Sequence, residues 1–239
     1  MLGAEDSYPV TKGCIRNAVK GGASDHPDMA AILERPDISL PLLRQAYETA
    51  SDSETRLKYA NILGMMGDGT GIEALLDRVR GAEWDRGWPF TGGGQFGRCL
   101  SRMDCYLVSL AHIGDDRAWD AVAELGRRLG PDHRFSHHRA TAIAFEKFAR
   151  QEGARILATV LEKPEMTGHA VGRAQAMRRR EFLGSREKNL RELVLARALY
   201  RCGDHGAVGR DILQSYRSDI RGHYARHAQA VLEGGTGRA

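Results

Sequence analysis

The chain has 239 residues, 42% of them apolar and 28% charged, with 35 basic and 31 acidic side chains giving a formal charge of +4. That composition excludes general disorder and is long enough for one large domain or two small ones that fold without disulfides or metals. No stretch reaches the ~20 apolar residues of a membrane span, and the opening MLGAEDSYPV lacks the basic start and apolar core of a signal peptide, so a cytoplasmic protein is expected.

Residues 1–27, rich in Gly, Ser and Asp with a lone Pro9, read as an irregular N-terminal segment. Met29, Ile32 and Leu33 predict a short helix. Leu42, Leu43, Ala46, Tyr47 and Ala50 predict a longer one with Pro41 near its first turn. An internal repeat then begins. Arg56–Asp68, Met103–Asp115, Ala140–Arg150 and Leu193–Asp204 can be laid over one another. Ala60, Leu63 and Met66 align with Leu107, Leu110 and Ile113, with Ala142, Phe145 and Phe148, and with Ala196, Leu199 and Cys202. An i, i+3, i+6 row follows one side of a helix, whereas a strand would alternate. Three copies end in Gly-Asp (Gly67–Asp68, Gly114–Asp115, Gly203–Asp204). There glycine can close one helix in the left-handed conformation and aspartate can cap the next.

A second apolar stripe follows each turn: Ile72, Leu75, Leu76 and Val79; Ala118, Val122, Leu125 and Leu129; Ile156, Leu157, Val160 and Leu161; Val208, Ile212, Leu213 and Tyr216. The unit is a helical hairpin that cannot bury its apolar side alone, so neighbours must stack. The expected fold is all-α, a right-handed α-α superhelix (a HEAT-like solenoid) of about four helix pairs with capping helices, over residues 28–233. Ala225, Ala228, Val231 and Leu232 predict the closing helix, and 234–239 a disordered tail. The turn residues Asp68, Asp115, Arg150 and Asp204 stand 47, 35 and 54 apart. Insertions therefore fall at Gly81–Arg98 and Pro164–Lys188, with the shorter Gly130–Ser136 in the corresponding place, and all three should emerge from one edge of the stack.

Candidate chemistry gathers in those connections. Trp84, Trp88, Phe90 and Phe96 sit close together in the first, and aromatics of that size should pack on the stack or contact a partner. Gly92–Gly97 satisfies GxGxxG, but WDRGWPFT before it is no buried strand, so the phosphate-binding context is missing. His133, His137, His138 and Arg139 form a polar cluster with Asp132 and Ser136. His133 and His137 have an i, i+4 metal spacing but no clear third ligand, so no metal is assigned; loop-fixing hydrogen bonds or partner recognition are the competing uses. Neighbouring Ser, His and Asp on one short turn rarely reach triad geometry. Arg173, Arg178, Arg179 and Arg180 are a basic run that reads as a solvated helix face or, alternatively, as a nucleic-acid contact whose affinity would fall with salt. Cys14, Cys99, Cys105 and Cys202 form no CxxC pair and read as reduced, mostly buried thiols.

The segment ANILGMMGD, residues 60–68, resembles HEAT-like repeats of the phycobilisome-lyase type, and the likeness extends over about 55–233. The third copy departs from it, with Glu146 at the glycine position and Arg150 at the aspartate position. Four segments, GAEDSYPVTKGCIRN, WDRGWPFTGGGQFGRCLSRMD, FSHHRATAIAFE and RGHYARHAQAVL, resemble the C-terminal helical module of bacterial FAD-dependent oxidoreductases of the xanthan-lyase-like group. That resemblance implies a helical module following a flavin domain that carries FAD and the chemistry, and no catalytic residue is assigned to this chain from it. This sequence has no strand–glycine–helix dinucleotide site, so no cofactor is assigned to it. On this reading it is a detached portion, residues 1–27 being a former connection. Its expected role is a non-catalytic interaction or scaffold module whose partner is another protein or domain, a flavin domain in particular. The alternatives are a nucleic-acid-binding repeat protein or part of a composite FAD-dependent active site.

Overall fold

The computed structural model describes residues 9–20, 25–87, 101–172 and 186–235. Among those residues there are twelve α-helices and no strand. The first hairpin is α4 (Ser53–Met65) with α5 (Ile72–Val79), the second α6 (Arg102–Ile113) with α7 (Trp119–Arg128). The third is α8 (Phe135–Phe148) with α9 (Gln151–Leu161), and the fourth α10 (Arg186–Arg201) with α11 (Val208–Arg217). Before them come α1 (Lys12–Ala18), α2 (Asp25–Glu34) and α3 (Pro36–Thr49); α12 (Gly222–Glu233) follows. No helix among the described residues is long and apolar enough to cross a membrane.

Nine of the twelve aligned row positions are core, while Met66, Ile113 and Phe148 are half-buried against it. Ala60, Leu63, Leu107, Leu110, Ala142, Phe145, Ala196, Leu199 and Cys202 are all fully buried. Their helices pack in chain order, α4 on α6, α6 on α8 and α8 on α10, while α5 meets α7 and α7 meets α9 in a second row. One apolar cluster runs unbroken from Leu57 to Cys202. A second lies under α1–α4 and a third under α10–α12. Each hairpin thus covers the apolar side its neighbour cannot cover alone.

Three turns close as their Gly-Asp pairs predict. Gly67, Gly114 and Gly203 have φ of 79°, 70° and 105°. Asp68 Oδ1 accepts from the Thr70 N–H at 2.9 Å, Asp115 Oδ1 from the Arg117 N–H at 2.9 Å, and Asp204 Oδ1 from the Gly209 N–H at 2.9 Å. The third turn keeps the backbone path without glycine: Ala149 has φ 50° and ψ 34°, at a cost of about 1–2 kcal/mol. Arg150 caps nothing with its side chain; it pairs with Asp116 of the preceding hairpin and lies 5.3 Å over the Trp119 ring. Glu146 likewise reaches across, accepting from Arg197 Nε at 2.6 Å and Arg201 Nη1 at 2.9 Å.

Two expectations are corrected. The segment read as irregular over 1–27 contains α1, and α2 begins at Asp25 rather than 28. Thr11 caps α1 by accepting from the Cys14 N–H at 3.2 Å, and Ile15, 2% exposed, joins Ile32 and Leu43 in the core. Pro41 lies inside α3, because Pro36 begins that helix instead; the missing N–H of Pro41 removes one helical hydrogen bond. Residues 1–8 and 236–239 are outside the described residues.

Candidate functional site

The connections between hairpins, 80–101, 129–134 and 162–185, all arrive at the N-terminal ends of α6, α8 and α10. The first is described to Gly87 and the third to Gly172. The first turns of the three helices supply the side chains that fix them.

In the first connection, the Asp85 carboxylate accepts from Ser101 Oγ and from the backbone N–H groups of Arg102 (3.0 Å) and Met103 (3.3 Å). It thereby satisfies N–H groups that α6 would otherwise leave free, at the positive end of the helix. The Asp85 carbonyl faces His137 Nε2 at 3.0 Å, and the other ring nitrogen of His137 faces Asp104 Oδ1 at 2.7 Å. Trp84 lies on the His137 ring with centroids 4.5 Å apart and donates its indole N–H to the Leu125 carbonyl at 3.3 Å. Gly87 comes so close that a Cβ there would stand 2.4 Å from His137 Nε2, an approach only glycine allows.

The second connection is held from both sides. The Gly130 N–H donates to His133 Nδ1 at 3.1 Å, and the His138 nitrogens face the carbonyls of Arg134 (2.9 Å) and Gly130 (3.2 Å). Arg191 of α10 donates to the Pro131 carbonyl at 2.7 Å and to the Glu165 carbonyl at 2.8 Å, joining the second connection to the third. Trp84 and His133, 6.2 Å apart edge to face, join the first to the second. In the third, Glu192 accepts from the N–H groups of Gly168 and His169, both at 2.9 Å, and from the Tyr216 hydroxyl at 2.7 Å. Asp219 accepts from the Val171 N–H at 2.8 Å and from Arg221 Nε at 2.7 Å. The described parts of the three excursions therefore meet at the starts of α6, α8 and α10.

Burial sets the electrostatics. It drives His138 down to about 3, so this ring is neutral and can donate to only one of its two carbonyls. Burial also lowers His133, with the neighbouring His137 adding to the effect. Arg191 is lowered by burial despite surrounding carboxylates. For Asp219, burial acts upward, but the bonds from Arg221 and from backbone N–H groups outweigh it and hold the carboxyl below its ordinary value. Tyr216 is raised by burial first and by Glu192 second.

His137 and Arg191 occupy equivalent positions, five residues before Ala142 and Ala196, and Arg102 stands five before Leu107. Each reaches back to the leading edge of the preceding hairpin. Arg102 pairs with Glu54 at 2.5 Å, His137 holds Asp85 and Asp104, and Arg191 holds Pro131. Asp85, Asp104, Arg191, Glu192 and Asp219 escape a reading by local spacing. Extending the repeat alignment five residues upstream would have placed Arg102, His137 and Arg191 in register.

Of the sequence-predicted residues, Trp84 and His133 are half-buried at the edge and Arg139 is exposed, while His137 and His138 are 1% and 0% exposed. These two histidines therefore support the edge from beneath and do not present it to a partner. Asp104 and His137 have the residue types of an orienting dyad, but Nε2 faces the Asp85 carbonyl and has no lone pair aimed at a nucleophile. The His133 and His137 rings are 6.3 Å apart, with His133 Nδ1 and both His137 nitrogens engaged elsewhere, and no group of three ligating side chains is found among the described residues. Trp88, Phe90, Phe96, the Gly92–Gly97 run, Cys99, Arg173, Arg178, Arg179 and Arg180 lie outside the described residues. No family model, curated protein or solved structure matches the chain.

Proposed function

We propose that this protein is a non-catalytic interaction module, a right-handed HEAT-like solenoid that recognises a protein or domain through the edge carrying its three connections. Its partner is a flavin-dependent oxidoreductase domain, to which it is accessory; FAD belongs to that partner. The observation that carries the reading is the mutual fixing of the connections by Trp84, His137 and Arg191. Side chains held on an ordered edge lose less freedom on binding than those on loose loops, which is how a rigid scaffold favours recognition. Trp84 and Arg139 are surface groups of types that dominate interface energetics.

The test mixes the chain with the FAD-loaded flavin domain of an oxidoreductase of the resembled group and follows flavin absorbance through sedimentation. Flavin should sediment with the chain, and Arg139→Ala should weaken the complex roughly tenfold with helicity unchanged. Absence of a complex, or flavin bound to the chain by itself, would overturn the proposal.

A further inference from the structure

We infer that His137 is a proton-dependent latch that holds the Trp84–Gly87 segment against α6 and α8 when its ring carries both hydrogens and releases it when one is lost. The inference concerns the hold on the connection itself and is read without any partner.

The geometry begins with a donor count. Both ring nitrogens of His137 face oxygen acceptors, the Asp104 carboxylate at 2.7 Å and the Asp85 carbonyl at 3.0 Å. A neutral imidazole has one N–H and one lone pair, so only the imidazolium satisfies both oxygens. Two further features favour the charged ring. Trp84 presents its indole to the ring at 4.5 Å, a contact that attracts a cation. Asp104 Oδ2 is buried with no hydrogen-bond partner among the described residues, leaving that carboxylate reliant on His137 for compensation.

The groups around the ring come from every packed element and carry both signs, Asp85, Asp104 and Glu187 acidic and His133, Arg134 and Arg191 basic. From α6 come Asp104 and the thiol of Cys105; from the first connection come Asp85, its carboxylate spent on the start of α6, and Trp84. The turn before α8 brings His133, its ring 6.3 Å away, and Arg134, while His138 turns to the carbonyls of Arg134 and Gly130. From α10, the Glu187 carboxylate takes the Phe135 N–H at 3.0 Å, and Arg191 is bound to the carbonyls of Pro131 and Glu165. Loss of one His137 proton turns a donor–acceptor contact into a lone pair facing a lone pair. The weaker tie, to the Asp85 carbonyl, is the one that yields, because the carboxylate retains the remaining proton more strongly.

The repeat supplies the contrast. At the equivalent position Arg191 makes the same backward reach to a carbonyl with a group that cannot lose its charge in this range. One hold is conditional and the other permanent.

The test records, on the isotopically labelled chain between about pH 5 and 9, the two nitrogen resonances of the His137 ring and the exchange protection of the Trp84 indole N–H, which donates to Leu125. Indole protection should fall roughly tenfold or more as pH rises, with the midpoint of the His137 titration, while core amides of α8 and α10 keep theirs. His137→Gln should give low indole protection at every pH, and in Asp104→Asn the fall in indole protection should still track the His137 ring resonances. Indole protection that stays level through the titration would overturn the latch, as would the wild-type profile persisting in His137→Gln. Should that variant not fold, indole protection and His137 resonances that change at different pH in Asp104→Asn would overturn it alone.

Discussion

His137 and Arg191 do the same mechanical job one hairpin apart, with different chemistry. Each projects from the first turns of its helix to a carbonyl on the connection preceding the neighbouring hairpin. His137 is sandwiched by Trp84 and Gly87 and faces a carboxylate. Arg191 is 3% exposed and meets two carbonyls, one from each of two connections. The contrast shows how a repeat can conserve a role while varying its sensitivity: the first connection is held by an aromatic, titratable contact, the third by permanent charge and by the buried carboxylates Glu192 and Asp219.

Removing the permanent hold has the largest expected effect. Arg191→Ala leaves the Pro131 carbonyl without a donor and the Glu165 carbonyl facing His169 Nε2 alone, at 3.0 Å, and should cost about 3 kcal/mol in denaturant unfolding, loosening the second and third connections while the first stays protected. Gly87→Ala strikes where the first connection meets the second, since the new Cβ would stand 2.4 Å from His137 Nε2 and 2.7 Å from Arg134 Cβ. A loss of about 1–3 kcal/mol is expected, with the indole of Trp84 becoming exchangeable.

The middle connection adds an acid dependence of opposite sense to the latch. His138 is held down to about 3 by burial, far under its ordinary value of 6.5. As pH falls below the unfolded value, the unfolded chain takes up the proton first, so stability declines from about pH 6.5 towards 3. His138→Gln should reduce the slope of stability against pH in the upper part of that window by up to one proton, about 1.4 kcal/mol per pH unit. An unchanged slope would show that this ring is not buried neutral. The smallest effect is a control at the far end of α8, a helix of 14 residues and so about 20 Å long. Ala149→Gly relieves the left-handed backbone and should stabilise by about 1 kcal/mol, leaving the protection of all three connections in the same proportion.

The hairpins were legible because their requirements are local and periodic. A three-residue row marks the buried side, and Gly-Asp states both how one helix ends and how the next is capped. The same grammar flagged the third turn as different, although what replaces it, Arg150 on Asp116 and Glu146 on Arg197 and Arg201, joins residues 34 to 55 apart. The first helix stayed hidden because one Thr11 cap and one Ile15 are its main signals amid Gly, Ser and Asp. His137 stood out in the sequence, but its burial did not, since its partners Trp84, Asp85 and Asp104 come from elements 33 or more residues away. Arg191, 60 residues from Pro131, carried no spacing signal at all until the repeat was extended upstream.

The gathering of the connections on one edge can be read from nuclear Overhauser effects among aromatic rings near pH 6. The account requires strong cross-peaks between the Trp84 indole and the His137 ring, 4.5 Å apart, and weaker ones from Trp84 to His133, 6.2 Å apart. A Trp84 indole with no cross-peak to either histidine would contradict it.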